Sequence, residues 1–284
     1  MGGWRKSRFE DMMKKYYLFY CQVIKYVLAI GKLVLFFLVT VFLLPLYFLG
    51  KLIKLVFVSN FLEVIIKSSW SRLGLRFCNI EVEVHGIIDL RADGFACNHV
   101  SWLDILAIQS IADVAFVAKS EVKAWPLFGF LAKIADTVFI DRRVMAAKGQ
   151  QADLLKSLSW GKKLFFFPEG TSTDGSHVLP FKSSIFEVFI TLNKVDGMGA
   201  LVQPVILKYH HSDIGSPMIF GWWGDMSLLP HIIDVLANAK SGKITVTFEE
   251  TLDARKIGNR KKLALVTERV VRSVHDLRSA YTQI

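Results

Sequence analysis

Residues 33–50 run for eighteen positions without a charged side chain. A stretch that apolar is poorly suited to a globular surface. It falls just short of the ~20 residues that carry a helix across a hydrocarbon core. Lys25, Lys32, Lys51 and Lys54 flank it, and Tyr16, Tyr17, Tyr20, Tyr26, Tyr47 and Phe48 gather towards its ends. Cationic and aromatic side chains of this kind sit at headgroup level. The run starts too late and is too long for a secretory leader, and it lacks a small-residue cleavage site. Residues 52–66 form a second, amphipathic segment, with Ile53, Val56, Phe57 and Val64 interleaved with Lys54, Asn60 and Glu63. Basic residues on both sides give no direction to the charge bias, and Pro45 and Lys32 weaken a clean span. The expectation is two helices dipping into one leaflet, which keeps the rest of the chain on one face. Residues 1–73 are then membrane-anchoring helices and residues 74–284 a folded body.

The whole chain fits that division. Of its 284 residues 52% are hydrophobic and only 21% charged, with a formal net charge of +10. A basic, apolar chain calls for an anionic partner: a membrane surface, a nucleic acid or a phosphorylated substrate. Arg255, Lys256, Arg260, Lys261 and Lys262 cluster near the C-terminus. No nucleic-acid recognition motif accompanies them, so nucleic acid is not expected as a partner. The three cysteines, Cys21, Cys78 and Cys97, have neither metal-ligand spacing nor an even disulfide framework. No metal is expected. His85, His177, His231 and His275 are isolated in sequence, and His210 and His211 would point apart on a strand.

From about residue 74 strand-like and helix-like stretches alternate. Period-two or wholly apolar runs predict strands over 81–85, 95–97, 114–118, 137–140, 164–167, 200–207 and 244–248. Helical spacing predicts helices over 105–111, 125–135, 144–159, 184–192 and 261–281. A long loop covers 168–180, with a turn at Asp174-Gly175. This alternation implies an α/β fold, a mostly parallel central sheet flanked by helices and preceded by the membrane-anchoring helices.

One loop in this pattern carries chemistry. Asn98-His99-Val100-Ser101-Trp102-Leu103-Asp104 joins the apolar run Phe95-Ala96-Cys97 to the apolar helical face of Leu103, Leu106 and Ile108. Side chains in a strand-to-helix loop face a cleft. If His99 folds back over the first turn it meets Asp104, which would hold one ring nitrogen and leave the other free as a base. A second reading is that Ser101-x-x-Asp104 is a capping box with Ser101 as N-cap. Three further stretches fall at strand ends, where open α/β sheets place ligands. They are Phe139-Ile140-Asp141-Arg142-Arg143, then Phe167-Pro168-Glu169-Gly170-Thr171-Ser172 with Leu179-Pro180-Phe181-Lys182, and then Val202-Gln203-Pro204-Val205-Ile206.

Taken together, the four stretches resemble the PlsC-type glycerolipid (lysophospholipid) acyltransferase family. His99 and Asp104 match its His-x4-Asp motif, and the other three match its second, third and fourth motifs in order and spacing over roughly residues 75–210. The resemblance implies transfer of a fatty acyl group from a thioester, on coenzyme A or acyl carrier protein, to the free hydroxyl of a lysolipid. It makes His99 the general base and Asp104 its orienting partner. It places the acceptor's head group near Arg142, Glu169, Gly170, Thr171 and Lys182, and links Pro204 to the fourth motif. It implies no cofactor beyond the acyl donor, and an inner (cytoplasmic) membrane site with the catalytic body on the cytoplasmic face.

The acceptor expected from this resemblance is 1-acylglycerol-3-phosphate, giving phosphatidic acid. One departure opens an alternative. Members acting on lysophosphatidic acid commonly carry arginine straight after Glu-Gly-Thr, and here that place is Ser172. Residues 173–184 and the stretch Trp223-Gly224-Asp225-Met226-Ser227-Leu228-Leu229-Pro230-His231 are similar to lyso-ornithine lipid acyltransferases. More distant alternatives are a Ser–His lipid hydrolase, for which Ser101 or Ser172 would have to be the nucleophile, and a non-catalytic membrane-binding module. The Gly-x-Ser-x-Gly elbow of the hydrolases is absent from the sequence.

Overall fold

The computed structural model describes residues 2–57, 59–141, 148–192, 199–211 and 217–281. It opens with two helices, α1 (Gly2–Phe57) and α2 (Phe61–Phe77). An alternating body follows: β1 (Ile80–His85), β2 (Gly94–Cys97), α3 (Leu103–Ile111), β3 (Ala115–Lys119), α4 (Phe128–Ile134), β4 (Val138–Ile140), α5 (Lys148–Ser159), β5 (Leu164–Phe166) and α6 (Glu187–Thr191). It closes with β6 (Leu201–His211), α7 (Leu228–Asn238), β7 (Gly242–Phe248), β8 (Leu252–Asp253), α8 (Ala254–Ile257) and α9 (Arg260–Tyr281).

Seven strands form a path in the order β1-β7-β6-β2-β5-β3-β4, and β8 joins off it against β6. The pairs β2–β5, β2–β6, β3–β5, β3–β4 and β1–β7 are parallel, while β6–β7 and β6–β8 are antiparallel. The fold is α/β with a mostly parallel sheet. Strand alternation divides the core into two. Phe95, Cys97, Phe165, Val205, Leu207 and Val246 face α2, α3 and α7. Ala96, Leu164, Phe166, Val202 and Ile206 face α5, α6 and α9. A strand buried on both faces reads as a continuous apolar run, which is why 95–97 and 164–167 look as they do in sequence.

Several elements differ from the expectation. α1 does not stop near residue 51 but continues through Pro45 to Phe57. Pro45 lies on the exposed side of the helix. The helix is fixed instead from its other face. There Tyr26 Oη donates to Asp234 (2.7 Å), Trp70 Nε1 donates to Thr40 Oγ1 (2.8 Å), and Tyr47 Oη and Lys51 Nζ donate to the Ile134 carbonyl (2.9 and 2.7 Å). The second helix starts at Phe61, not at 52. β6 runs four residues past the expected end at 207, because it pairs with β7 up to His211↔Gly242. The helix expected over 184–192 is confined to Glu187–Thr191. α7 was not expected, because Pro230 interrupts its pattern. Pro230 lies in the first turn, where a missing N–H breaks no helical bond.

The strand ends that matter lie at the C-terminal edge of β2, β5 and β6. Here Asn98 behaves as an extra strand residue. Its Nδ2 donates to the Leu207 carbonyl (2.9 Å) and its Oδ1 accepts the Leu207 N–H (2.8 Å), both buried. Residue 99 therefore begins its loop from a fixed point. Asn98→Ala leaves a buried donor and acceptor unpaired and is expected to cost about 2–4 kcal/mol. That is a fall in Tm of roughly 5–10 °C for a body of this size. Thermal unfolding in detergent reads this directly, and an unchanged Tm would contradict it.

Candidate active site

From Asn98 the chain turns back over the start of α3. The His99 Nδ1 lies 2.7 Å from Asp104 Oδ2. The same oxygen accepts the backbone N–H groups of Val100 (2.8 Å) and Ser101 (3.1 Å). The first reading of the loop is thus met in full and the capping box in its carboxylate half only, with no cap bond from the Ser101 hydroxyl among the described residues. Asp104 makes the carboxylate half of a capping box, to the Ser101 N–H, and also holds the imidazole. The helix itself starts one residue later than that box predicts, with Trp102 in the N-cap place.

The Asp104 side chain is fully buried, while that of His99 is 18% exposed. With Nδ1 occupied, Nε2 carries no hydrogen bond from the described residues. The ring lies flat on Phe167, with centroids 4.0 Å apart and planes 15° from parallel. A hydrogen bond at one nitrogen and a stacked face fix both the tilt and the rotation of the imidazole. A neutral ring held by Nδ1–H···carboxylate presents a lone pair at Nε2, the arrangement of a general base.

The loop after β5 buttresses this one. Glu169 Oε1 accepts the His99 N–H and its Oε2 accepts the Leu179 N–H, each at 2.7 Å. Thr173 donates its N–H (2.9 Å) and its hydroxyl (3.2 Å) to the His99 carbonyl. Gly170 turns the chain with φ +84°, a region costly for a residue with a Cβ, and donates its N–H to the Phe167 carbonyl. α9 adds a further brace: Glu268 accepts the Phe181 N–H (2.8 Å) and pairs with Arg272 (2.8 Å). Burial pushes the Glu169 carboxyl up to about 7, against the pull of its two backbone donors and of Arg272.

The residues singled out in sequence are therefore not all in one place. His99, Asp104 and Glu169 share one hydrogen-bonded unit, and Gly170 shapes its loop. Thr171 and Lys182 are exposed beside it. Pro204 is buried within β6, in register with Ala96, three residues before His99. Arg142 and Arg143 lie outside the described residues. Sequence reasoning missed several contacts. The Trp222 N–H donates to the Val100 carbonyl (2.9 Å), and Trp102 Nε1 donates to His231 Nδ1 (3.0 Å). His231, read as isolated, is thus bonded to the His99 loop, and burial lowers its pKa. Tyr209 Oη donates to Asp104 Oδ1 at 2.5 Å. A longer β6 was the signal for it: Val205, Leu207 and Tyr209 share a face by period two.

The order and spacing of these residues are those of known proteins. The family model described as Acyltransferase matches residues 81–208. A lyso-ornithine lipid O-acyltransferase of Rhodobacter capsulatus is 41% identical over 203 residues, covering 71% of this chain and 70% of that protein. The chain belongs to the acyltransferase family. A lyso-ornithine lipid O-acyltransferase of Rhizobium meliloti is 36% identical, covering 73% of this chain and 74% of its own length. A 1-acyl-sn-glycerol-3-phosphate acyltransferase of Neisseria gonorrhoeae is 32% identical, covering 63% and 68%. In fold, the acyltransferase is similar to the crystal structure of the 1-acyl-sn-glycerophosphate acyltransferase PlsC of Thermotoga maritima. That likeness has a TM-score of 0.63 at 19% identity, over 91% of this chain and 98% of that one. The protein is thus an acyltransferase of lysolipids, with an apolar N-terminal helix of a length suited to membrane association.

The Glu169 clamp makes a pH prediction. Its folded-state value of about 7 lies above the ordinary 4.5. Below the lower value both states hold the proton. As pH rises from 4.5 the unfolded carboxyl ionises first, so stability is lost until the folded one also ionises near 7. Relative to Glu169→Gln, which does not titrate, the wild-type Tm is expected to fall across that window and to run parallel above about pH 8. Melting curves of the two proteins over pH 4–9 check this, and curves parallel throughout would contradict it.

Proposed function

We propose that the acyltransferase is a lyso-ornithine lipid O-acyltransferase, with His99 as its general base. The observation that carries the chemistry is the 2.7 Å His99–Asp104 pair, with Nε2 free of any hydrogen bond from the described residues and the His99 side chain 18% exposed. The acceptor hydroxyl attacks the thioester carbon as His99 Nε2 takes its proton. Asp104 stabilises the imidazolium so formed. The tetrahedral intermediate then expels the thiolate, which the imidazolium reprotonates. No side chain becomes acylated, so no nucleophilic serine is needed. This separates the reading from a Ser–His hydrolase.

Two observations support the ornithine acceptor. The Rhodobacter and Rhizobium relatives are more similar to the chain than the Neisseria one. Ser172 also stands where a phosphate-binding arginine is common. An ornithine head group offers a single carboxylate and an amine, which ask for less fixed positive charge than a phosphate monoester. Thr171 and Lys182, exposed beside the His99 loop, would then meet the head group, with Glu169, Gly170 and Pro204 in the elements behind them; Arg142 is included from its place in the second sequence motif alone. The Neisseria relative favours the second reading, transfer to 1-acylglycerol-3-phosphate. The donor is acyl-CoA or acyl carrier protein, both anionic and suited to a chain of net charge +10.

The anchoring helices act in the same scheme. The docked face of α1, from Tyr26 to Lys51, is about 38 Å long, longer than the roughly 30 Å thickness of a bilayer core. A helix bound to the body over that length lies along it rather than leaving it to cross the membrane. Val34, Phe37, Leu38, Val41 and Phe42 on the opposite face are exposed. They would enter one leaflet of the inner membrane from the cytoplasmic side and bring the site to the interface where both lipids are found.

With purified protein in detergent, transfer to lyso-ornithine lipid is expected to exceed transfer to 1-acylglycerol-3-phosphate by at least about tenfold, one 1.4 kcal/mol step of discrimination. His99→Ala is expected to reduce transfer by about 10²–10⁴-fold. Faster transfer to the phosphate acceptor would move the assignment to the second reading. Undiminished activity in the His99 variant would remove the mechanism.

A further inference from the structure

Among the described residues Asp104 makes four hydrogen bonds, and they are divided unequally between its oxygens. Oδ2 serves His99, Val100 and Ser101, all within five residues in sequence. Oδ1 serves, among the described residues, only Tyr209, which reaches it from β6, 105 positions away. An ionised carboxylate has about four acceptor sites and can rotate about its Cβ–Cγ bond. The three local bonds set which oxygen faces the loop. Only the bond from β6 stops the other oxygen from swinging round to compete for the same donors. It is also, among the described residues, the sole link from this carboxylate to the sheet, since the rest of its partners belong to its own loop.

From this geometry we propose that Tyr209 is a positioning residue of the acyl transfer, its hydroxyl locking Asp104 so that Asp104 locks His99. The proposal rests on the reading of His99 as the base. The phenol is suited to the task. Burial raises its pKa well above the ordinary value, and the Asp104 charge raises it further, so it stays a donor throughout the working pH range. Its ring is held by Phe220, 6.0 Å between centroids. The other titratable groups facing the pair are Cys97 from β2 and Glu169 from the loop after β5. Arg272 on α9 and His231 on α7 stand one residue further away, beyond Glu169 and Trp102.

Tyr209→Phe keeps the ring and removes the hydroxyl. The Oδ1 charge is then uncompensated and holds a proton on the His99–Asp104 pair more strongly. The acidic limb of kcat/KM is expected to move to higher pH. The kcat is expected to fall by about ten- to hundredfold, the worth of a hydrogen bond to a charged group, while KM for both substrates stays within about threefold. Phe220→Leu is the control for packing: it should lower Tm and leave the acidic limb in place. The series is run with the full chain, lyso-ornithine lipid or 1-acylglycerol-3-phosphate, whichever is turned over, and His99→Ala alongside. An inactive His99→Ala with a Tyr209→Phe indistinguishable from wild type in kcat and pH limb overturns the Tyr209 proposal alone. The same follows if Phe220→Leu moves the limb as far as Tyr209→Phe. An active His99→Ala overturns this proposal together with the base on which it depends.

Discussion

A single buried carboxylate organises the site. Asp104 has no exposure to solvent and accepts from an imidazole, two backbone amides and a phenol. An ionised group cannot be withdrawn from water without such partners, because the cost of desolvation is several kcal/mol. The fold therefore has to bring all four to one point, and doing so fixes the loop between β2 and α3. The orientation of His99 is a consequence of satisfying that charge rather than a separate achievement.

The same device recurs in the neighbouring loops. Glu169 takes one backbone amide from Leu179, ten residues on in its own loop, and one from His99, and Glu268 on α9 takes the amide of Phe181. Carboxylates bonded to main-chain N–H groups tie together loops that have little regular structure. Backbone amides in such loops would otherwise be left unpaired under a buried surface. The result is a rigid rim at the C-terminal edge of a parallel sheet, with the acyltransferase's exposed side chains, Thr171 and Lys182, set upon it. Chemistry at this edge is a general property of open α/β sheets, but rigidity here comes from particular side chains.

Much of this was legible in the sequence, for identifiable reasons. Strands buried on both faces leave long apolar runs, and 95–97 and 164–167 show them. A five-residue separation between His99 and Asp104 was enough to suggest a meeting across the first helical turn. What the sequence hid was set by partners distant along the chain. α1 passes through Pro45 because its other face is pinned to α2, α4 and α7 by side-chain bonds. β6 extends to His211 because β7 supplies a ladder for it, and Tyr209 reaches Asp104 only through that extension. His231 seemed isolated because its partner, Trp102, lies 129 residues earlier. Spacing reveals local geometry; a contact between strands far apart in sequence needs the sheet order, which spacing does not contain.

Central to the proposed chemistry is that the Asp104 carboxylate, by its charge and its bonds, holds His99 in a reactive tautomer. Asp104→Asn tests this most directly. The amide is of the same size, but it carries no charge, and its NH₂ end meets donors where an acceptor is required. The expected result is a fall in kcat on the order of 10³–10⁴-fold, as for other His–Asp pairs whose tautomer is disturbed, with KM for the lysolipid within about threefold. A variant that keeps kcat within tenfold of the wild type would contradict it.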